Sequence, residues 1–170
     1  MVSVRAPLVF PYGGYTWYTM AEVGQPDPAE FMESHGRLEQ FLNDVRASYP
    51  VDPERILLLG FSMGSVMSLG LALTHPAEIR GVIAHSGYVP EASPLTFLWD
   101  RIGHCRFFVA HGVEDPVIPV RFGRRAKALL TEKGADLTYR EYPIGHHVSE
   151  ESLSDGARWL TGLLEGGPGS

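Results

Sequence analysis

The stretch Ile56-Leu57-Leu58-Leu59-Gly60-Phe61-Ser62-Met63-Gly64 decides how this chain folds. Its apolar run reads as a strand covered on both faces, as in the middle of a parallel sheet. Gly60 to Gly64 then spell G-x-S-x-G, and Val66, Leu69 and Leu73 behind them keep helical spacing until Pro76 stops it. Strand, tight turn and helix in that order force the serine into a strained backbone conformation. A side chain in place of either glycine is expected to collide with the neighbouring strand or helix. The Ser62 hydroxyl is then exposed at a helix N-terminus, where unpaired N–H groups and the helix dipole favour a developing negative charge. With 19 glycines in the chain, the bare pattern arises by chance in roughly one such sequence in ten. The strand before it and the helix after it make Ser62 a nucleophile candidate.

Outward from this point strands and helices alternate. Upstream, residues 2–6 are expected as a short strand and 11–17 as a loop rich in glycine and aromatics. Asp27-Pro28-Ala29-Glu30 supplies an N-cap, a proline at the first helical position and a carboxylate three residues after the cap. Phe31, Leu38, Phe41, Leu42 and Val45 form that helix's apolar stripe, which ends before Pro50. Downstream, residues 82–84 and 107–110 read as buried strands, and 119–133 as a helix closed by Gly134. Residues 137–142 form a last strand, and Ser149 caps a final helix through Leu164. The alternation predicts an α/β fold of three layers: a mostly parallel sheet with helices on both faces, in one domain over residues 1–165. Ligands are expected at the carboxyl ends of its strands. Residues 166–170, Gly-Gly-Pro-Gly-Ser, read as a flexible tail.

Serine needs an adjacent base, itself held by a third group. Of seven histidines, His35 in the helical stripe and His75 at a helix end read as surface residues. His104 beside Cys105 lacks a second ligand pair at metal spacing. His146 and His147 follow Tyr142-Pro143-Ile144-Gly145 beyond the last strand, where Gly145 lets the loop bend toward Ser62. His146, directly after the glycine, is the first choice and His147 the reserve. For the acid, His111-Gly112-Val113-Glu114-Asp115-Pro116 follows a buried strand, and the proline biases Asp115 toward an extended conformation. Exposed loop histidines and a solvated turn carboxylate are the plainer alternatives. The order serine, acid, histidine is the one expected of such a strand–turn–helix nucleophile.

Composition narrows the partners. At 170 residues the chain can bury one sizeable core, and 44% hydrophobic with 20% charged residues is ordinary for a globular protein. No apolar stretch is long enough to cross a bilayer, and the first residues lack the apolar run of a signal peptide. Fourteen basic against 20 acidic residues give a net charge of -6. Without a Lys/Arg cluster, neither nucleic acid nor a membrane surface is expected as a partner. The single Cys105 excludes an internal disulfide and points to a cytoplasmic setting.

With those residues in place, the chain resembles the phospholipase/carboxylesterase family of α/β-hydrolases, which includes the acyl-protein thioesterases. The matching stretches are Gly60-Phe61-Ser62-Met63-Gly64-Ser65, Ser86-Gly87-Tyr88-Val89-Pro90, His111-Gly112-Val113-Glu114-Asp115-Pro116-Val117-Ile118-Pro119 and Gly145-His146. The resemblance implies hydrolysis of a small-molecule carboxylic ester or thioester by Ser62, Asp115 and His146, with no metal or organic cofactor. Short- to medium-chain acyl esters are expected, because no long apolar lid is evident; thioesters and lysophospholipids are the alternatives.

Family members usually open with further strands and a His-Gly loop that gives one oxyanion N–H, and no such loop lies upstream of Val2. The expected fold is thus an N-terminally shortened one. The Met63 N–H is then one oxyanion donor. Gly13 or Gly14, in Tyr12-Gly13-Gly14-Tyr15, is the candidate replacement for the other, or else this is simply a turn. Tyr12, Trp17, Tyr88, Leu95, Phe97, Trp99 and Ile118 are candidate walls of an acyl pocket, although the same side chains serve equally well in a core. Without the intervening strand, residues 2–6 either pair with 56–59 directly or leave an apolar edge open. Open edges invite a second chain, so a homodimer or larger homo-oligomer is expected. A hydrolase-like binding module without catalysis is the competing class.

Overall fold

A computed structural model describes residues 1–166. Apart from Gly166, the tail expected at 166–170 lies outside the described residues.

The chain opens on two short antiparallel ribbons. Leu8–Val9 (β1) pairs with Tyr15–Thr16 (β2) across a turn in which Gly13 (φ 101°) and Gly14 (φ 85°) take left-handed backbone, open to glycine without strain. Met20–Glu22 (β3) pairs with Gln25–Pro26 (β4). The strand expected at residues 2–6 does not form; those residues are unpaired, and all but Ala6 are exposed. Pro7 removes a ladder donor beside them, and the glycine turn sets the pairing farther along the chain.

Pro28–Ser48 (α1) starts as its sequence predicts, with Asp27 Oδ1 accepting from the Ala29 and Glu30 N–H groups at 3.0 and 2.9 Å. Glu30 does not fold back to the cap. Its carboxylate accepts from the N–H and hydroxyl of Thr19 at 2.6 and 2.7 Å, which ties the helix to the segment between the ribbons.

Leu57–Phe61 (β5), Gly81–His85 (β6), Arg106–Gly112 (β7) and Asp136–Tyr142 (β8) form an all-parallel four-stranded sheet in that spatial order. Met63–Thr74 (α2), Arg121–Glu132 (α3) and Glu150–Glu165 (α4) follow β5, β7 and β8. Because strand side chains alternate between faces, two cores result. Val82, Ala84, Phe107 and Val109 meet Leu69, Leu73 and Leu130 of α2 and α3, whereas Ile83, Phe108 and Ala110 meet Trp159 and Leu160 of α4. Each large apolar side chain fully buried this way contributes roughly 1.5–3 kcal/mol. Gly134 (φ 75°) ends α3, with its own N–H and that of Ala135 donating to the Thr131 and Leu130 carbonyls.

Against α2 lies α1. His35, expected at the surface, is sealed between these helices at 2% exposure, with Nε2 3.1 Å from Thr74 Oγ1. Burial lowers its pKa, and Glu39, 3.3 Å away, only partly offsets that effect.

The apolar run of β5 is a strand, but not a central one. It begins the sheet, and no described residue pairs with its outer edge. Leu58 packs on the main core, while Leu59 is 67% and Phe61 38% exposed. Direct pairing of residues 2–6 with β5 does not occur; the open edge does. Since all four strands run the same way, the loops after them gather at one end of the sheet, and they carry Ser62, Ser86, Asp115 and His146.

Candidate active site

Ser62 caps α2 with φ 55° and ψ -125°, a conformation that costs a non-glycine residue about 1–3 kcal/mol. Neighbouring hydrogen bonds hold it there. Its N–H donates to the His85 carbonyl at 3.0 Å. The Ser65 hydroxyl sits 2.7 Å from the Gly60 carbonyl and 2.6 Å from that of His85, stapling the bend onto β6. A Cβ on Gly60 would lie 2.3 Å from the backbone of Gly64, so only glycine lets the strand turn this tightly. The parallel expectation for Gly64 is not met: a Cβ there would meet nothing within 4 Å, because it points into open space.

The loops after β7 and β8 bring the other two residues to the serine. His146 Nε2 lies 3.0 Å from Ser62 Oγ, and its Nδ1 lies 2.7 Å from Asp115 Oδ2. The Asp115 side chain is fully buried, and its Oδ1 accepts the Val117 and Ile118 N–H groups at 2.9 and 2.8 Å. This is an Asx-type turn, which the Asp-Pro sequence foreshadows. Burial pushes the Asp115 pKa upward, but the His146 imidazole and the two backbone N–H groups outweigh it and hold the pKa below the ordinary carboxylate value. An ionised acceptor at Oδ2 fixes the imidazole tautomer: Nδ1–H donates to Asp115, leaving the Nε2 lone pair to accept the Ser62 hydroxyl proton.

His147 is exposed, its N–H donating to the Gly145 carbonyl. The glycine this junction needs is Gly112 rather than Gly145. A Cβ on Gly112 would come within 2.3 Å of the Ile144 carbonyl oxygen, whereas one on Gly145 would make only ordinary contacts.

The sequence reading passed over two neighbours. His111 is buried beneath the acid, with Nε2 2.8 Å from the Ile118 carbonyl and 3.7 Å from Asp115 Oδ2. A carbonyl only accepts, so Nε2 carries the proton. Nδ1 is left without a partner, against Gly123, where a Cβ would come within 2.6 Å of it. By holding the Ile118 carbonyl, His111 braces the turn that binds Asp115; the His-Gly pair ahead of the acid was the available signal. Phe61, next to the serine, packs its ring on His146 with centroids 4.7 Å apart and planes at 42°. Nothing in the sequence beyond adjacency announces that contact.

Met63 begins α2, and its N–H is one of those a helix leaves without an internal acceptor. Gly13 does not offer a second donor, because its N–H is spent on the Phe10 carbonyl at 3.0 Å, within the β1–β2 turn. Gly14 sits in the same exposed turn and accepts there from Phe10 N–H. The pair is a turn.

The pocket candidates separate into groups. Tyr88 and Ile118 are buried in a cluster against which Trp17, Leu95 and Met63, the neighbour of Ser62, pack. Tyr88 also borders a hollow of about 310 Å³ with Val23 and Phe122. Phe97 and Trp99 instead pack on the main core and on each other, centroids 5.3 Å apart. Tyr12 is 92% exposed and meets Phe10 edge to face, so it forms no pocket wall.

The sequence profile of the phospholipase/carboxylesterase family matches residues 2–163. The chain belongs to that family. Acyl-protein thioesterase 1 of Candida albicans is 28% identical to this family member over 159 residues, which cover 88% of this chain and 69% of the relative. Carboxylesterase SOBER1 of Arabidopsis thaliana is 25% identical over 158 residues, 89% of this chain and 69% of the relative. The crystal structure of esterase PE8 superposes with a TM-score of 0.78 at 25% identity, over 94% of this chain and 76% of that one. As a phospholipase/carboxylesterase family protein with an α/β-hydrolase fold, the chain is a carboxylesterase-type serine hydrolase. Among its described residues no helix is long and apolar enough to cross a membrane.

Proposed function

We propose that Ser62, His146 and Asp115 are the nucleophile, base and orienting acid of a two-step acyl transfer on short- to medium-chain carboxylic esters. One observation carries this reading: a continuous hydrogen-bonded line from the Ser62 hydroxyl through both imidazole nitrogens to a buried carboxylate. His146 Nε2 takes the Ser62 proton as Oγ attacks the carbonyl carbon, and the Met63 N–H faces the oxygen on which charge develops. The imidazolium then protonates the leaving alcohol. Water, activated by the same nitrogen, releases the acid and restores the serine. Trp17, Tyr88, Leu95 and Ile118 flank the acyl chain. Relatives named acyl-protein thioesterase 1 favour counting thioesters among the substrates.

The test is p-nitrophenyl butyrate turnover by the parent and by Ser62→Ala. Loss of turnover on the order of 10⁵-fold or more is expected, together with fluorophosphonate labelling of the parent alone. Turnover unaffected by the substitution would remove the assignment. A second reading, a hydrolase-like module that binds without turning over, draws on the engagement of the Gly13 N–H, since losing one oxyanion donor typically costs about a hundredfold or more. A parent that neither hydrolyses ester nor takes the label would favour it.

Two assignments about setting accompany this reading. The outer edge of β5, unpaired among the described residues and bearing exposed Leu59, pairs with a second copy; a monomer by light scattering at micromolar concentration would refute that. The cytoplasm is the assigned compartment, on the strength of the lone, buried Cys105, whose thiol burial pushes up to about 12.

A further inference from the structure

We propose that Phe61 is a positioning residue for His146 whose aromatic ring also stabilises the imidazolium that forms there during acyl transfer. The inference rests on the assignment of His146 as base. When the Ser62 oxygen bonds to the acyl carbon, the carbonyl electron pair moves to oxygen and the hydroxyl proton moves to Nε2, so the imidazole becomes a cation. Asp115 meets Nδ1 at 2.7 Å and Ser62 meets Nε2 at 3.0 Å. His111 stands behind Asp115, 3.7 Å from its carboxylate, and Glu114 and His147 are exposed. The Phe61 ring packs on the same imidazole, with its centroid 4.7 Å from that of His146. A cation within about 6 Å of an aromatic centroid is attracted by the ring's quadrupole. A neutral imidazole feels that attraction far less, so the gain falls on the charged transition state rather than the resting enzyme.

Phe61 is fixed where it can act. It closes β5, in register with His85 of β6, and precedes the strained serine directly, so the geometry that presents Ser62 also sets this ring. At 38% exposure it keeps one side to solvent while covering His146, whose side chain is only 15% exposed. An ordinary core phenylalanine would be buried. This one is partly open, and its ring packs on the base.

The experiment is the pH dependence of p-nitrophenyl butyrate hydrolysis by the parent, Phe61→Leu and Phe61→Tyr. Leucine keeps apolar bulk without a quadrupole; tyrosine keeps the ring. Phe61→Leu is expected to lower kcat by roughly three- to thirtyfold with KM little changed. Losing the stabilisation of the charged base also moves the acid limb of kcat/KM to lower pH, by about half a unit to one unit. Phe61→Tyr should restore both. Phenylalanine analogues with increasing ring fluorination at position 61 preserve shape and should lower kcat stepwise. An unmoved acid limb in Phe61→Leu, a tyrosine variant as slow as leucine, or kcat indifferent to fluorination would each overturn the proposal. Failure of the underlying assignment would show differently, as His146→Ala turnover equal to the parent's.

Discussion

The two halves of the site are built differently. On the β7–β8 side, Asp115 is gripped by two backbone N–H groups, braced from below by His111 through Ile118, and pressed against the histidine loop at Gly112. On the β5 side, the serine stands in a strained conformation on a strand with one hydrogen-bonded neighbour, held by its own N–H and by the Ser65 hydroxyl. The carboxylate–imidazole half is over-determined; the serine half is poised. Strain is tolerable on the sparser side because a few short contacts concentrate at the bend, and it is tolerable there only while they persist.

Four substitution or titration experiments sharpen that contrast, beginning with the largest effect. Asp115→Asn keeps the shape of the well-held half but offers His146 an amide, which can stabilise the wrong tautomer. A fall of about 10³–10⁴-fold in kcat for p-nitrophenyl butyrate is expected, and a loss below tenfold would mean the acid does not orient the base. Gly60→Ala tests the other half through packing alone. Its Cβ would sit 2.3 Å from the Gly64 backbone, so urea denaturation should show a loss of about 3 kcal/mol or more, or no folded protein.

Acidification comes next. The folded-state pKa of Asp115 lies below its ordinary value. Its stabilising contribution is therefore complete above the unfolded carboxylate pKa and is lost as pH falls through the lowered one. The stability gap between the parent and Asp115→Asn should narrow as pH drops below about 4, and a gap independent of pH would contradict the ionised, hydrogen-bonded carboxylate. Gly64→Ala should do least. With nothing within 4 Å and a helical position, it should leave stability within about 1 kcal/mol of the parent, on the stabilising side.

What was legible in the sequence tracks how locally each feature is determined. The run from Ile56 to Gly64 encodes strand, bend and helix in adjacent residues, and the chain follows it. The same holds for Asp27 as a cap and Gly134 as a stop, both set by neighbours a few positions away. The placement of β5 was not legible, because an apolar run does not say how many strands flank it; that depends on pairing partners distant in sequence. Residues 2–6 failed for a related reason, since two-residue ladders are fixed by the glycine turn between them rather than by strand propensity.

Within the site, the sequence puts His146 ahead of its neighbour His147 and points to Asp115 for the acid, and both side chains lie in one hydrogen-bonded line with Ser62. What separates His146 from His147, and gives Asp115 rather than Glu114 the histidine, is the direction in which each loop turns its side chains. His111 and Phe61 escaped notice because their roles lie in contacts across the sheet end, invisible to spacing. Gly64 and Gly145 misled in the opposite sense, matching a pattern whose steric reason lies elsewhere, at Gly60 and Gly112.

Among the described residues, the serine directly follows one edge strand of the sheet, β5, and His146 lies beyond the other, β8. Margins of a sheet open on their own, with less free energy than the whole fold demands. The proposed reactivity is thus hung on the rims rather than the keel, where a local melting could reach it and leave the interior untouched. On warming, hydrolysis is expected to fall before the circular dichroism changes, and activity and spectrum fading together would contradict that.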